Sequence, residues 1–528
     1  MQLNIGIFVL LMMFVVGLGI IARRLTVPYP ILFVLGGLLI SFVPRLPSFT
    51  LDPDLVFFLF LPPLLYIQAF YTSWRDFRRE LRAILLLAVG LVIATTLTVA
   101  QVTHAFIPGF PLAAGLVLGA IISPPDAVAA SAIAQNLALP RRLVTMLEGE
   151  SLINDATGLV AFKMALAAIG TTVAIRTSIW HPGFFLYVAL GGVATGLVVG
   201  WFVSHLRRLL MDAGTQIILT ISLLTPFVSY LAADFVDVSG VLAVVTTGLF
   251  LGWQSPFVLS PTVRLEATAF WGMITYLLNG AIFVLIGLQL PTIMRGIRGE
   301  SWSQLLLYAL IVNATCILVR LFWVFPGAYL PRLLPHIRRA EPWPDWRHVF
   351  IVGWSGMRGV VSLAAALSLV ASPAFPQEHL VQFLAFSVIL TTLVLQGLTL
   401  PPLIRFLNVG DDGSARAEEG DARRRMAAAV LKKLKEVRGE EKYPDDVLTI
   451  VDNSYRERAL ALQDDALAEQ FGWSDRRHHV LALRKLRRAM VLAQRHTLIE
   501  MRLRGEIGDD VMHKIEHELD LEDARLKI

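Results

Sequence analysis

Apolar stretches of about 20 residues recur from Leu10 to Leu400, and each is long enough to cross a hydrocarbon core of roughly 30 Å as a helix. A backbone in lipid must satisfy its own hydrogen bonds, so the chain is predicted to form an all-α polytopic membrane protein. Composition agrees: with 55% hydrophobic and 16% charged residues, the 528-residue chain is too apolar for an ordinary water-soluble protein of that length. Apolar runs between polar breaks give about thirteen spans. The first, ahead of Arg23 and Arg24, has neither the basic n-region nor the small-residue cleavage site of a signal peptide, and is read as a membrane helix. The single cysteine, Cys316, falls inside an apolar run, which excludes an intrachain disulfide and a thiolate metal site.

Arginines set the predicted orientation, because cytoplasmic loops retain Lys and Arg. Arg23/Arg24, Arg75 to Arg82, Arg141/Arg142, Arg207/Arg208, Arg264 and Arg332 to Arg347 all follow odd-numbered spans. This places the N-terminus outside and the C-terminus in the cytoplasm, with the protein multi-pass in a plasma (inner) membrane. The net charge of +5 comes from loop arginines and speaks of topology, with no nucleic-acid partner implied. If the seventh span is a linker, six spans precede it and six follow from the opposite side, which is an inverted repeat. The fifth span of each half is interrupted, by Ser123-Pro124-Pro125-Asp126 in 109–134 and by Gly353 to Gly359 in 348–372. Paired broken helices at matching positions mark the binding site of a secondary transporter. After Val409 the composition becomes charged and Ala/Leu-rich. Two domains are therefore expected, a membrane domain over 1–408 and a helical cytoplasmic domain over 409–528, with helical periodicity from Arg424 to Val437 and Val447 to Met501.

Ionisable groups inside a span are costly, which makes each a functional candidate. The sixth span carries Glu150-Ser151-Leu152-Ile153-Asn154-Asp155, with Glu150 one turn from Asn154 and Ser151 one turn from Asp155. A hard alkali cation takes oxygen ligands, which the Ser hydroxyl, Asn amide and Asp carboxylate supply. A carboxylate withdrawn from water holds a proton more readily and a bound cation displaces that proton, so the two compete for Asp155. Competition combined with alternating access gives antiport. Glu150 and Arg358 are the opposite charges offered by the critical spans of the two halves, and are expected to form a structural ion pair. Asp126 follows the first break; it either neutralises a half-helix N-terminus or ligates the cation directly. Asn279 and Arg320 read as glue between helices. No Gly-x-x-x-x-Gly-Lys-Ser/Thr or His-Glu-x-x-His motif occurs, so neither an enzyme nor a cofactor is expected.

Gly149-Glu150-Ser151-Leu152-Ile153-Asn154-Asp155 resembles the signature of sodium/proton exchangers of the electroneutral branch of the cation:proton antiporter superfamily. Pro125-Asp126-Ala127-Val128-Ala129 is similar to that family's Thr-Asp-Pro-Val-Ala break, and Gly356-Met357-Arg358-Gly359 to its arginine-bearing second break. The resemblance spans about residues 1 to 408. It implies Asp155 as the shared Na+/H+ carboxylate, Ser151 as a side-chain ligand of Na+, Asn154 as a stabiliser of the break, and Glu150 with Arg358 as the ion pair. Pro124-Pro125 precedes Asp126 where the commoner pattern has Thr before the acid and Pro after it, so position 125 offers only a backbone carbonyl. A homodimer working as an elevator is also implied. The expected function is 1:1 electroneutral Na+/H+ exchange in pH homeostasis, with Li+ or K+ as further cations. Alternatives are a K+/H+ antiporter or an ion-responsive sensor signalling through its tail.

Overall fold

The computed structural model describes residues 2–410 apart from 26, 44–55, 127–138, 171–181, 211–213, 298–300, 342, 372–374 and 376, together with scattered positions of 411–528. The described residues are helical, with no strand among them. They divide into two compact units, Met1–Asp411 and Asp412–Ile528. Most of the expected tail helices lie outside the described residues.

In the first unit, helices α1 (Gln2–Leu25), α2 (Tyr29–Ser41) and α3 (Leu61–Tyr71) precede α4 (Trp74–Leu85), which runs through a π turn into α5 (Val92–Phe106). Then come α6 (Leu112–Ile122), α7 (Arg141–Gly170), α8 (Pro182–Leu209), α9 (Thr215–Phe235), α10 (Gly240–Val258), α11 (Pro261–Leu288) and α12 (Leu290–Gly296). The last group is α13 (Trp302–Tyr329), α14 (Pro335–Ala340), α15 (Trp346–Trp354), α16 (Val360–Leu367), α17 (Glu378–Thr391) and α18 (Gly397–Phe406). Six stretches are long and apolar enough to cross a membrane, among them Trp74–Phe106 and Trp302–Leu333, and shorter apolar helices such as Leu112–Ile122 accompany them.

One departure from the sequence reading is α4. Arg75 to Arg82 were expected in a loop, yet they form the first turns of a continuous 33-residue helix. Ser73 caps it by accepting from the Asp76 amide at 3.4 Å. Its charges find partners elsewhere in the chain: Arg142 Nε lies 2.9 Å from Glu80, and Arg82 donates to Glu341 at 2.6 Å. Arg332 reaches the same Glu341 oxygen at 2.7 Å, which fastens the segment after α13 to α4 and to the start of α7.

Small residues set how closely the helices approach. A Cβ on Gly37 of α2 would overlap the Val284 carbonyl of α11, and one on Gly287 would overlap the Val34 carbonyl, so these backbones touch. Gly252 of α10 meets the Phe70 carbonyl of α3 in the same way. The apolar interior falls into two clusters. The larger holds Ile122, Met357 and Val360; the smaller is built around Leu65, Tyr66, Leu152, Val245 and Trp271.

Candidate ion-binding site

The first break ends α6 because Pro124 and Pro125 have no amide proton and their rings clash with a continuing helix. Residues 127–138, including Ala127, Val128 and Ala129, lie outside the described residues. The second break separates α15 from α16 at Ser355 to Gly359. The two breaks are stitched together. The Asp126 amide donates to the Met357 carbonyl at 2.7 Å, and Arg358 Nε donates to the Ile122 carbonyl at 2.6 Å. Arg358 Nη1 turns back to the Gly356 carbonyl at 2.5 Å, and its backbone amide donates to Thr392 Oγ1 at 3.0 Å. The guanidinium therefore satisfies the Ile122 carbonyl left over where α6 stops and the Gly356 carbonyl of the second break, which also places a cation at the negative end of α6.

This geometry corrects the expected Glu150–Arg358 pair. Glu150 is fully buried and takes a bidentate ion pair from Arg320 of α13, with Nη1 on Oε1 at 2.5 Å and Nη2 on Oε2 at 2.8 Å. Arg320 also donates through Nε to the Val352 carbonyl of α15 at 3.2 Å. Arg358 is already engaged by the carbonyls of the two breaks, which leaves the carboxylate to the arginine of the neighbouring helix.

Successive residues of α7 turn by about 100°, so its polar stripe splits into two faces. Glu150 and Asn154 look away from the breaks' cavity; Ser151 and Asp155 look into it. Asn154 is wholly buried, with neither amide atom in a hydrogen bond. The cavity, of about 440 Å³ with its open mouth, is walled by Leu61, Leu64, Leu65 and Gln68 of α3 on one side. On the other stand Pro124, Asp126, Ser151, Asp155 and residues 359–362. Of the two prolines it is Pro124 that lines the cavity, while Pro125 is buried beside it. Asp155 is 6% exposed, and no basic side chain lies within 4 Å of its carboxylate among the described residues. Asp126 packs against Gly359, the residue that opens α16: a Cβ there would overlap Asp126 Oδ2. An acid at this position faces the positive end of the half-helix.

Two polar cavity residues escaped the sequence reading. Gln68 comes from α3. Ser362 comes from α16; it is 1% exposed and its Oγ meets no hydrogen-bond partner. A lone hydroxyl three residues after a helix break was the available signal for Ser362.

A helical membrane bundle in which two helix breaks meet beside a buried carboxylate with no basic side chain next to it fits a secondary transporter. Residues 10–406 match the family described as "Sodium/hydrogen exchanger, transmembrane", and the chain belongs to that family of cation/proton antiporters. An uncharacterised Na(+)/H(+) exchanger of Mycobacterium tuberculosis is 34% identical, with 96% of this chain and 93% of that protein covered. A sodium, potassium, lithium and rubidium/H(+) antiporter of Bacillus pumilus is 36% identical over 84% of this chain and 67% of its own. The fold is similar to that of the sodium proton antiporter MjNhaP1 from Methanocaldococcus jannaschii, with a TM-score of 0.57 and 20% identity over 77% of this chain and 99% of that one. Family and fold are those of transporters.

Proposed function

We propose that the chain exchanges Na+ for H+ at Asp155, with Ser151, Asp126 and Ser362 as further oxygen donors around the same cavity. The observation that carries this reading is a buried Asp155 carboxylate with no basic side chain beside it, facing hydroxyl and carboxylate oxygens. A lone carboxylate in a low-dielectric site must hold either a proton or a cation. Glu150 is committed to Arg320 and stays outside that exchange. Asn154, whose side-chain amide makes no hydrogen bond among the described residues, stays outside the proposed ligand set, and the Pro125 carbonyl is a candidate backbone ligand. Around this site we place thirteen spans in inverted repeats, an external N-terminus, a cytoplasmic helical domain over 409–528 and a homodimer in the plasma membrane.

A second reading, in which K+ or Li+ is also carried, is favoured by the name of the Bacillus pumilus relative, which spans four alkali cations. Both readings, and the rival of a sensor that binds ions without moving them, meet in one experiment. Protein in liposomes with a trapped pH dye is challenged with each cation in turn. Na+ should dequench the dye with wild type and leave it unchanged with Asp155→Asn, while that variant elutes from size exclusion like wild type. Full flux in well-folded Asp155→Asn removes Asp155 as the exchange site; no flux with any cation in wild type favours the sensor.

A further inference from the structure

Four arginines are buried among the described residues: Arg207, Arg320, Arg332 and Arg358. Arg320 has Glu150, Arg332 has Glu341, and Arg358 has the carbonyls of the two breaks. Arg207 differs. It is 3% exposed in the last turn of α8, its Nη2 donates to the Tyr66 hydroxyl at a long 3.3 Å, and its sealed Nε meets no acceptor. No carboxylate lies within 4 Å of it among the described residues. A buried guanidinium whose acceptor among the described residues is one neutral hydroxyl lacks the counter-anion that such a group ordinarily takes.

Arg207 lines a cleft with Ser222, Trp271, Phe70, Tyr71 and Val263. Trp271 Nε1 donates to Ser222 Oγ at 3.1 Å, which leaves the serine's own hydrogen to serve another acceptor. Charged and neutral donors thus converge between apolar walls. The cleft also sits at one level of the bundle. Phe70 and Tyr71 end α3, Arg207 ends α8, Ile218 begins α9 and Val263 begins α11. These are the arginine-bearing helix ends, with Arg208 and Arg264 exposed nearby and Leu209 (70%) and Leu265 (69%) presenting apolar side chains outward. Helix ends carrying arginine and exposed aromatic and leucine side chains are where headgroup phosphates meet the acyl region.

We propose that this cleft holds the phosphate of an anionic phospholipid, its oxygens on the Arg207 guanidinium and the Ser222 hydroxyl and its glycerol and upper acyl chain along Phe70 and Val263. Guanidinium and phosphate match in geometry as well as charge. A net negative lipid is called for because no carboxylate among the described residues neutralises Arg207. The same donors would also take free phosphate, which lacks anything to fill the apolar walls.

Delipidated protein in detergent is titrated with phosphatidylglycerol, phosphatidylcholine or inorganic phosphate. Melting temperature and retained lipid, by native mass spectrometry, are read for wild type, Arg207→Gln, Ser222→Ala and the surface control Arg208→Gln. Wild type and Arg208→Gln should each keep one phosphatidylglycerol per chain and melt several degrees higher with it. Arg207→Gln and Ser222→Ala should lose both effects, and phosphatidylcholine and inorganic phosphate should give neither. Equal phosphatidylglycerol shifts in wild type and Arg207→Gln overturn the site, and a shift reproduced by inorganic phosphate alone overturns the lipid assignment. Where Arg207→Gln fails to fold, Ser222→Ala decides: undiminished lipid retention in that variant refutes the proposal.

Discussion

Ser362 tests the cavity at the level of one atom. Its hydroxyl is sealed in the half-helix α16 without a hydrogen bond, an arrangement costing about 1–3 kcal/mol unless a ligand uses the oxygen. Ser362→Ala should therefore raise the Na+ concentration for half-maximal exchange about tenfold, since about 1.4 kcal/mol is a factor of ten, and change the maximal rate much less. Titrating Na+ in the liposome dye assay measures this. An unchanged half-maximal concentration removes Ser362 from the ligand set. The Ser151 and Asp155 face was legible in the sequence because four-residue spacing on a helix is a local property. Ser362 was not, since one hydroxyl in an apolar half-helix becomes significant only when the fold turns it toward Asp155.

At the scale of elements, the crossing of the breaks is held by pairs that come from different helices, and this is where sequence reading fell short. Both breaks were visible, because Pro124-Pro125 and the glycines of 353–359 interrupt apolar runs. That Glu150 needed a cationic partner was visible as well. Which arginine answers it depends on the depth and rotation of α13 against α7, and these are set by packing across 170 residues of chain. The charged start of α4 was hidden for a related reason: it looks like a loop until Glu341 is placed beside Arg82 and Arg142 beside Glu80. Breaking the buried pair should cost about 3–5 kcal/mol, so Glu150→Gln and Arg320→Gln should each lower the melting temperature in detergent. The Glu150→Gln/Arg320→Gln double variant should regain part of that loss, while Glu150→Gln combined with Arg358→Gln should show none of it. Recovery in the Arg358 combination instead would contradict the pairing in the structure. Gly359→Ala makes a companion case, because its methyl group would displace Asp126 from the start of α16. Exchange should fall at least about tenfold by the arithmetic of a lost charge-assisted contact, with the protein still inserted and monodisperse; wild-type flux would show that Asp126 need not sit there.

At the scale of the whole molecule, every proposed ligand lies in the first unit, Met1–Asp411, and transport chemistry is expected to need that unit alone. Truncation after Asn408 should leave cation-driven proton flux in place and alter its pH profile or maximal rate; a truncated protein that inserts normally yet shows no flux at any pH refutes this independence. Stoichiometry follows from counting charges in the cavity. Asp155 holds one proton or one monovalent cation, Asn154 is neutral, and Glu150 is compensated by Arg320. Each half-cycle then moves one positive charge, and exchange should be electroneutral. Asp126 shares the cavity, and a carboxylate titrating in step with Asp155 would carry an additional proton. The two cases separate in liposomes whose potential is clamped with potassium and valinomycin while pH and Na+ gradients are set independently. Electroneutral exchange has zero net flux where the two gradients match, at every potential. A zero-flux point that moves with voltage would mean that more protons than cations cross, and would bring Asp126 into the titrating site.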